Sequence, residues 1–148
     1  MKKERIEKLL KEASLRIRSV DKGKIESMID SALRNSKIVL SMSLNENSAT
    51  VIFREIYESL RQLGDAYLWS LGYEPRDHDV SLEALMSLEI KDKVKLNFID
   101  RFKTIRNDAN YRGFMVSLSQ AKEIIELWNS CSSDIIKIIK KGLEELKE

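Results

Sequence analysis

Residues 49–72, ATVIFREIYESLRQLGDAYLWSLG, carry the clearest structural signal in the sequence. Apolar side chains recur there at spacings of three and four residues, which is the period of one face of an α-helix. Ser48 precedes the stretch as a predicted N-cap, and Gly72 ends it. A helix of this length must bury its apolar stripe against other elements, so the stretch predicts a helical bundle. The stripe consists of Val51, Ile52, Ile56, Leu60, Leu63, Tyr67, Leu68 and Leu71.

The same period continues on the N-terminal side. A first helix is predicted through Ile6, Leu9, Leu10, Ala13 and Ile17. Gly23 is expected to interrupt the helical pattern, and the polar residues 45–48 form a predicted loop. Between them a second helix is predicted over about residues 24–44, with Ile25, Met28, Ile29, Ala32, Ile38 and Val39 among its apolar members.

Three more helices are predicted on the C-terminal side, after a loop that holds the only proline, Pro75. Asp79 is a predicted cap for a short helix through Val80 to Leu88. The next helix has one stripe made of Val94, Phe98, Phe102, Ile105 and Ala109, and it stops near Gly113. Ser117 and Gln120 then match a capping box that opens the last helix. Its predicted buried stripe is Ile124, Leu127, Cys131, Ile135, Ile138 and Leu146.

Composition supports the same fold class. One proline and five glycines in 148 residues indicate long, uninterrupted helices, and no segment resembles a strand. A chain of this length fits one domain and can bury a core without disulfides or metals. The sequence therefore predicts an all-α, single-domain bundle of about five to six helices over residues 1–148.

Composition also limits the function. The 26 Lys and Arg residues against 24 Asp and Glu leave a net charge of only +2, so any nucleic-acid binding needs a local patch. No apolar run is long enough for a membrane span, and the start lacks the apolar core of a signal peptide. We therefore expect a cytoplasmic protein without membrane association. No phosphate loop, dinucleotide-binding turn or Ser/His/Asp grouping is present, so no cofactor is predicted.

The polar segment RNDANYRG, residues 106–113, is the strongest candidate for a binding site. Arg106 follows Phe102 by four residues and so adjoins the apolar stripe of its helix. An arginine near a buried surface needs an anionic or carbonyl partner, because burying an unpaired charge is costly. A guanidinium binds phosphate through paired hydrogen bonds, and nearby donors are Asn107, Asn110, Tyr111 and Arg112. The alternative, which composition alone favours, is an ion pair between Arg106 and an acidic residue of a neighbouring helix.

The other candidates favour structural roles. His78 is the only histidine and Cys131 the only thiol, so a transition-metal site lacks its usual ligands. Cys131 lies on an apolar stripe, which predicts an inert core thiol. Trp69, Tyr73 and Trp128 could stack on nucleic-acid bases, but aromatic residues at helical spacing more often belong to a core or an interface.

Two longer stretches resemble the HEPN domains, α-helical proteins of prokaryotic defence and toxin–antitoxin systems. Residues 68–85, LWSLGYEPRDHDVSLEAL, resemble the stretch of that family where a helix ends, a His-Asp pair follows and a short helix begins. Residues 102–113, FKTIRNDANYRG, resemble its motif of an arginine, a polar residue and then a histidine. The order of long and short helices is also similar. The resemblance covers residues 51–117 best.

The resemblance implies a dimer whose two motifs face each other across a cleft. Active HEPN proteins are metal-independent endoribonucleases, in which the motif arginine stabilises the charged phosphorane and the histidine moves protons. Arg106 matches the arginine and Asn107 the polar position, but the histidine position holds Tyr111. Phenols ionise near pH 10 and histidines near 6.5, so a tyrosine is a poor general base at neutral pH.

Three functions follow as expectations. The first is a non-catalytic or weakly active HEPN-like homodimer that binds RNA or nucleotide phosphate at the cleft between protomers through Arg106, Asn107 and Tyr111. The second is a ribonuclease toxin in which Tyr111 replaces the histidine. Some HEPN toxins pair with a small nucleotidyltransferase that modifies a tyrosine after the histidine, a position that Tyr111 matches imperfectly. The third is a purely structural dimerisation module with Arg106 in an interface ion pair.

Overall fold

The computed structural model of the protein describes residues 1–146 and contains seven helical segments and two short strands in that range. The helices are α1 (Lys3–Lys11), α2 (Lys22–Leu40), α3 (Ala49–Ser70), α4 (His78–Met86), α5 (Lys93–Leu96), α6 (Ile99–Tyr111) and α7 (Leu118–Glu145). The strands are β1 (Leu15–Ile17) and β2 (Tyr73–Pro75). The predicted all-α bundle is confirmed. The predicted domain, 1–148, includes two residues that lie outside the described range.

Helix α3 is the centre of the bundle. It packs most extensively against α2 and α7, and also against α4 and α6. The ring of Phe53 meets Phe102 of α6 edge to face, with 5.7 Å between ring centroids. Because α3 has neighbours on several sides, its buried surface is wider than one stripe and includes Ala66 and Trp69. Ser48 occupies the predicted N-cap position, but its hydroxyl accepts from the backbone N–H of Asn45 and makes no bond to the helix.

The first predicted helix was too long. Helix α1 ends at Lys11, and Ala13 adopts the left-handed conformation with φ 60°, which breaks the helix. The chain then forms β1, which pairs antiparallel with β2 and places Leu15 opposite Pro75. The prediction that the chain has no strand was therefore wrong, and Ile17 is 71% exposed instead of buried. The strand exists because of a partner almost 60 residues away, which local periodicity cannot reveal.

Several helix boundaries also differ from their predictions. Helix α2 begins at Lys22 because the Asp21 carboxylate accepts a 3.0 Å hydrogen bond from the Lys24 N–H, so Gly23 lies inside its first turn. The predicted fifth helix divides into α5 and α6 around residues 97–98. Besides Ala13 and Ile17, the predicted stripe members that are exposed are Ile38, Val51, Leu71, Val94, Phe98 and Leu146.

Other local predictions are confirmed. Ser117 and Gln120 form the reciprocal capping box of α7, and Gly113 has φ 69° directly after α6. Cys131 is fully buried, and burial raises the pKa of its thiol to about 11, which is the expected behaviour of an unreactive core cysteine. No helix within residues 1–146 is both long and apolar enough to cross a membrane.

Candidate functional site

A cleft of about 650 Å³ lies between α3, the start of α4 and α6. Each of these elements contributes polar or charged side chains to its walls. The cleft therefore brings together residues from three separate parts of the sequence, among them the only histidine, His78, and the first arginine of the RNDANYRG segment, Arg106. Its lining residues are Tyr57, Glu58, Arg61, Asp77, His78, Asp79, Lys103, Arg106, Asn107 and Tyr111.

The α3 wall carries an arginine that is already neutralised. Arg61 forms ion pairs with Glu58, one turn before it, and with Asp65, one turn after it. The distance from its Nη1 to the Asp65 Oδ2 is 2.7 Å. The hydrogen bond to Glu58 is the largest cause that raises the pKa of Arg61. The charge of Arg61 is thus offset before any ligand arrives.

Asp65 also connects α3 to α4. Its carboxylate accepts a hydrogen bond from the Ser81 hydroxyl of α4. Burial raises the pKa of Asp65, although the bond from Ser81 and the charge of Arg61 act in the opposite direction. The two helices approach closely here, because a Cβ added at Gly64 would lie 2.3 Å from the backbone oxygen of Ser81. Gly64 and Asp65 therefore determine where the start of α4 lies.

The start of α4 is capped by Asp77, not by Asp79 as predicted. The Asp77 carboxylate accepts a 3.0 Å hydrogen bond from the Asp79 N–H. The side chain of Asp79 instead accepts a 2.6 Å hydrogen bond from the Lys103 Nζ of α6. This ion pair joins α4 to α6 and neutralises a second cation of the cleft. His78 lies between the two aspartates and lines the same cleft.

Arg106 differs from the other cations of the cleft. Within residues 1–146 no carboxylate lies within 4.0 Å of its guanidinium, so the predicted ion pair with a neighbouring helix is not formed there. Its nearest partners are neutral. The guanidinium carbon lies 5.7 Å from the ring centroid of Tyr57, and Nη1 donates a 3.3 Å hydrogen bond to the Oδ1 of Asn107. Burial raises the pKa of Tyr57 to about 12, and the charge of Arg106 acts in the opposite direction.

The predicted binding residues divide into two groups. Arg106, Asn107 and Tyr111 line the cleft. Asn110 and Arg112 do not, because they project from other faces of the helix end. The Oδ1 of Asn110 is shielded from solvent without a hydrogen-bond partner in the described part of the chain, and Arg112 points outward, with its Nε 4.0 Å from Asp108.

Sequence reasoning did not select several other cleft residues. Tyr57 and Arg61 lie outside the predicted apolar stripe of α3, and Lys103 is one charge among many. Residues 68–85 contain the His-Asp pair, yet no spacing in the sequence relates His78 to Arg106, since they belong to different helices. The only local signal was the Asp-His-Asp run at a helix start. The remaining cleft residues could be found only from the packing of α3, α4 and α6.

Within residues 1–146, no cluster of metal ligands is formed, and Trp69 and Trp128 do not form a surface for stacking on bases. No group of three or more His, Cys, Asp and Glu side chains within residues 1–146 is placed to hold a metal ion. Two cleft carboxylates, Glu58 and Asp79, are already paired with cations. Trp69 and Trp128, which the sequence offered as stacking residues, are buried in the main core. The lining of the cleft thus carries three Lys or Arg side chains and three acidic side chains, besides His78.

Comparisons of the chain with protein families, curated proteins and solved structures found no match. The resemblance to HEPN domains thus rests on residues 68–85 and 102–113 and on the order of long and short helices. These two segments supply two walls of the cleft, α4 and α6. Any function must therefore be argued from the geometry of the cleft itself.

Proposed function

We propose that the cleft between α3, α4 and α6 binds a phosphate group of RNA or of a nucleotide. The observation that carries the proposal is the charge of Arg106, which has no carboxylate partner within residues 1–146. Arg61 and Lys103 line the same cleft but are each held by acidic side chains. An added anion would therefore find its strongest partner at Arg106.

The surroundings of Arg106 suit an anion. A guanidinium offers a planar fork of donors that matches two phosphate oxygens. The ring of Tyr57 lies beside it and restricts its orientation without neutralising it. The neighbouring Asn107 amide can donate to a third oxygen. Because these groups are in place before the ligand arrives, binding costs little side-chain ordering.

The proposal includes the homodimer that the HEPN resemblance implies, with two clefts facing one another. An exposed apolar pair shortly after the end of α6 supports such an interface. Phe114 and Met115 are both largely exposed, and adjoining apolar side chains of this kind often mark protein–protein contacts. A small nucleotidyltransferase is the alternative partner for this surface. Light scattering of the purified protein would test the dimer, since a mass near 17.2 kDa would contradict it.

Binding of a labelled single-stranded RNA in EDTA tests the phosphate site. Wild type should bind with an affinity that falls as salt rises, because phosphate contacts release counterions. Arg106→Ala should weaken binding about 10- to 100-fold, which is the usual contribution of a charged hydrogen bond. Arg112→Ala is the matched control, since it removes the same charge from the same helix outside the cleft. Equal binding by wild type and both variants would contradict the proposal.

A second candidate is a metal-independent endoribonuclease, and the position of His78 favours it. The imidazole lines the same cleft as Arg106 and Tyr111. In such a reaction the 2′-oxygen attacks phosphorus and its proton passes to His78. The bond from phosphorus to the 5′-oxygen breaks, and that oxygen takes a proton from the Tyr111 phenol. Arg106 would stabilise the charge that develops on phosphorus.

Incubation of a mixed single-stranded RNA in EDTA tests this candidate. The expected products are a 2′,3′-cyclic phosphate and a 5′-hydroxyl. His78→Ala should lower the rate about 10²- to 10⁴-fold while Arg106-dependent RNA binding persists. Arg112→Ala again serves as the control. Absence of cleavage by wild type would retire the enzyme and leave the binding proposal unaffected.

A further inference from the structure

We infer that the cleft accepts a whole nucleotide unit, with its phosphate on Arg106 and its base stacked on the ring of Tyr111. This rests on the proposed phosphate site and adds a second contact to it. The base contact would make the protein selective for nucleotides over other phosphorylated molecules. Two observations carry the inference: the size of the cleft, and the exposed ring of Tyr111 on the same cleft as Arg106.

The size of the cleft exceeds what a phosphate group needs. Its volume of about 650 Å³ falls within the range of sites that hold small organic ligands, roughly 300–1,000 Å³. A lone phosphate would fill only a small part of this space. The space beside Arg106 therefore suits a ligand with a further, larger group attached to its phosphate.

The exposure of Tyr111 shows that its ring is not part of the core. Among residues 1–146, three aromatic rings are largely exposed: Tyr111 at 78%, Phe114 at 57% and Phe98 at 44%. Only Tyr111 lines the cleft that contains Arg106. Single exposed rings are common on protein surfaces, so exposure alone would mean little. The ring of Tyr111 is open to solvent and lines the same cleft as an arginine that has no carboxylate partner within residues 1–146, so it is available to a base whose phosphate is held by Arg106.

Arg106 and Tyr111 both belong to α6 and both line the cleft. A ligand held there can therefore meet the guanidinium with its phosphate and the ring with its base. Stacking of a base on an aromatic side chain contributes a gain of about 5- to 150-fold in affinity and works with any base. The cleft is therefore expected to recognise nucleotides without strong base preference.

Titration with three probes tests the inference: inorganic phosphate, ribose 5-phosphate and adenosine 5′-monophosphate. Wild type should bind the adenosine probe at least about tenfold more tightly than ribose 5-phosphate. Tyr111→Ala should abolish this difference while ribose 5-phosphate binding stays within about twofold. Tyr111→Phe should preserve the difference, because the ring remains. Phe98→Ala is the matched control, since it removes an exposed ring that does not line the cleft.

The outcomes separate the inference from the function on which it rests. If the adenosine probe and ribose 5-phosphate bind equally and both depend on Arg106, the base contact is wrong and the phosphate site stands. If the tenfold difference survives in Tyr111→Ala, the inference is also overturned. If no probe binds, or if binding is unchanged in Arg106→Ala, the proposed phosphate site fails as well. A short oligoribonucleotide compared with the adenosine probe then distinguishes an RNA chain from a free nucleotide.

Discussion

Two regions of the molecule contain α3, and they differ in how their polar side chains are paired. In the core between α2, α3 and α7, the few buried polar side chains are serines that bond inward to the chain. The hydroxyls of Ser36, Ser59 and Ser70 each donate to a backbone carbonyl of the preceding helical turn. In the cleft, by contrast, full charges meet across helices, and Arg106 lacks an acidic partner within residues 1–146. The core satisfies these three hydroxyls locally, whereas the acidic partner of Arg106 would be the ligand that we propose.

This difference predicts that the core determines the stability of the fold, whereas the cleft serves the proposed binding. Apolar burial provides most of the favourable free energy of folding, so the core should respond to changes in side-chain volume. The cleft should respond to changes in charge pairing, and Arg106 should matter least for stability. The following substitutions test that separation in order of the expected effect.

The largest effect is expected from Phe102→Ala. Phe102 is fully buried against Phe53, so its removal leaves a cavity and should lower the free energy of unfolding by about 3–5 kcal/mol. Phe114→Ala removes the same side chain from an exposed position and should cost less than about 1 kcal/mol. Urea denaturation measures both values. Similar losses in the two variants would contradict the placement of Phe102 in the core.

The second effect concerns the contact between α3 and α4. Gly64→Ala should destabilise the protein by about 3 kcal/mol, since its Cβ would meet the Ser81 backbone at 2.3 Å. Gly142→Ala, in α7, meets nothing within 4 Å and should stabilise by about 0.5–1 kcal/mol through better helix propensity. Thermal and urea unfolding would show the opposite signs. A stabilising Gly64→Ala would mean that the two helices are further apart.

The third effect is a dependence of stability on pH. Burial raises the pKa of Tyr57 from 10.0 to about 12, so the folded protein retains a proton that the unfolded chain releases. The contribution of the Tyr57 phenol to the free energy of unfolding is fully present below pH 10. It is lost as pH rises towards 12, and the loss is on the order of 2 kcal/mol. Tyr57→Phe should remove this part of the decline. Identical pH profiles for wild type and Tyr57→Phe between pH 9 and 12 would show that Tyr57 is not buried.

The smallest effect distinguishes the two arginines of the cleft. Arg61→Ala leaves Glu58 and the largely buried Asp65 without their partner, which should cost about 2 kcal/mol. Arg106→Ala leaves no carboxylate unpaired and should change stability by less than about 0.5 kcal/mol. Urea denaturation at pH 7 and low salt compares them. A large decrease in the free energy of unfolding of Arg106→Ala would show that the residue has a structural role.

Much of the fold could be predicted because the signals for a helix come from residues that are close in sequence. The apolar stripe of α3 and the capping box at Ser117 both depend on neighbours within four residues. The predictions were wrong where pairing with an element distant in sequence determines the local structure. Leu15–Ile17 became a strand because β2 lies beside it, and Ile17 therefore left the predicted apolar stripe.

The candidate site shows the same division. Arg106, Asn107 and Tyr111 were selected from one helical segment, and all three line the cleft. Asn110 and Arg112 were selected with them by proximity in sequence, yet the helix turns them away. His78 joins the cleft although 27 residues separate it from Arg106 in the sequence. No property of the sequence around His78 indicates that it lines the same cleft as Arg106.

The sequence by itself determined the fold class, most of the helices and the local chemistry of the RNDANYRG segment. These features depend on periodicity, capping and side-chain type, which act over one or two helical turns. Only the tertiary structure decided which residues share the cleft and which of its charges lacks a partner, because α3, α4 and α6 bring separate parts of the sequence together there. Lys103 of α6 is paired with Asp79 of α4, whereas both carboxylate partners of Arg61 lie one turn away in α3 itself. Arg61 and Arg106 both line the cleft, but the first has two carboxylate partners and the second has none within residues 1–146.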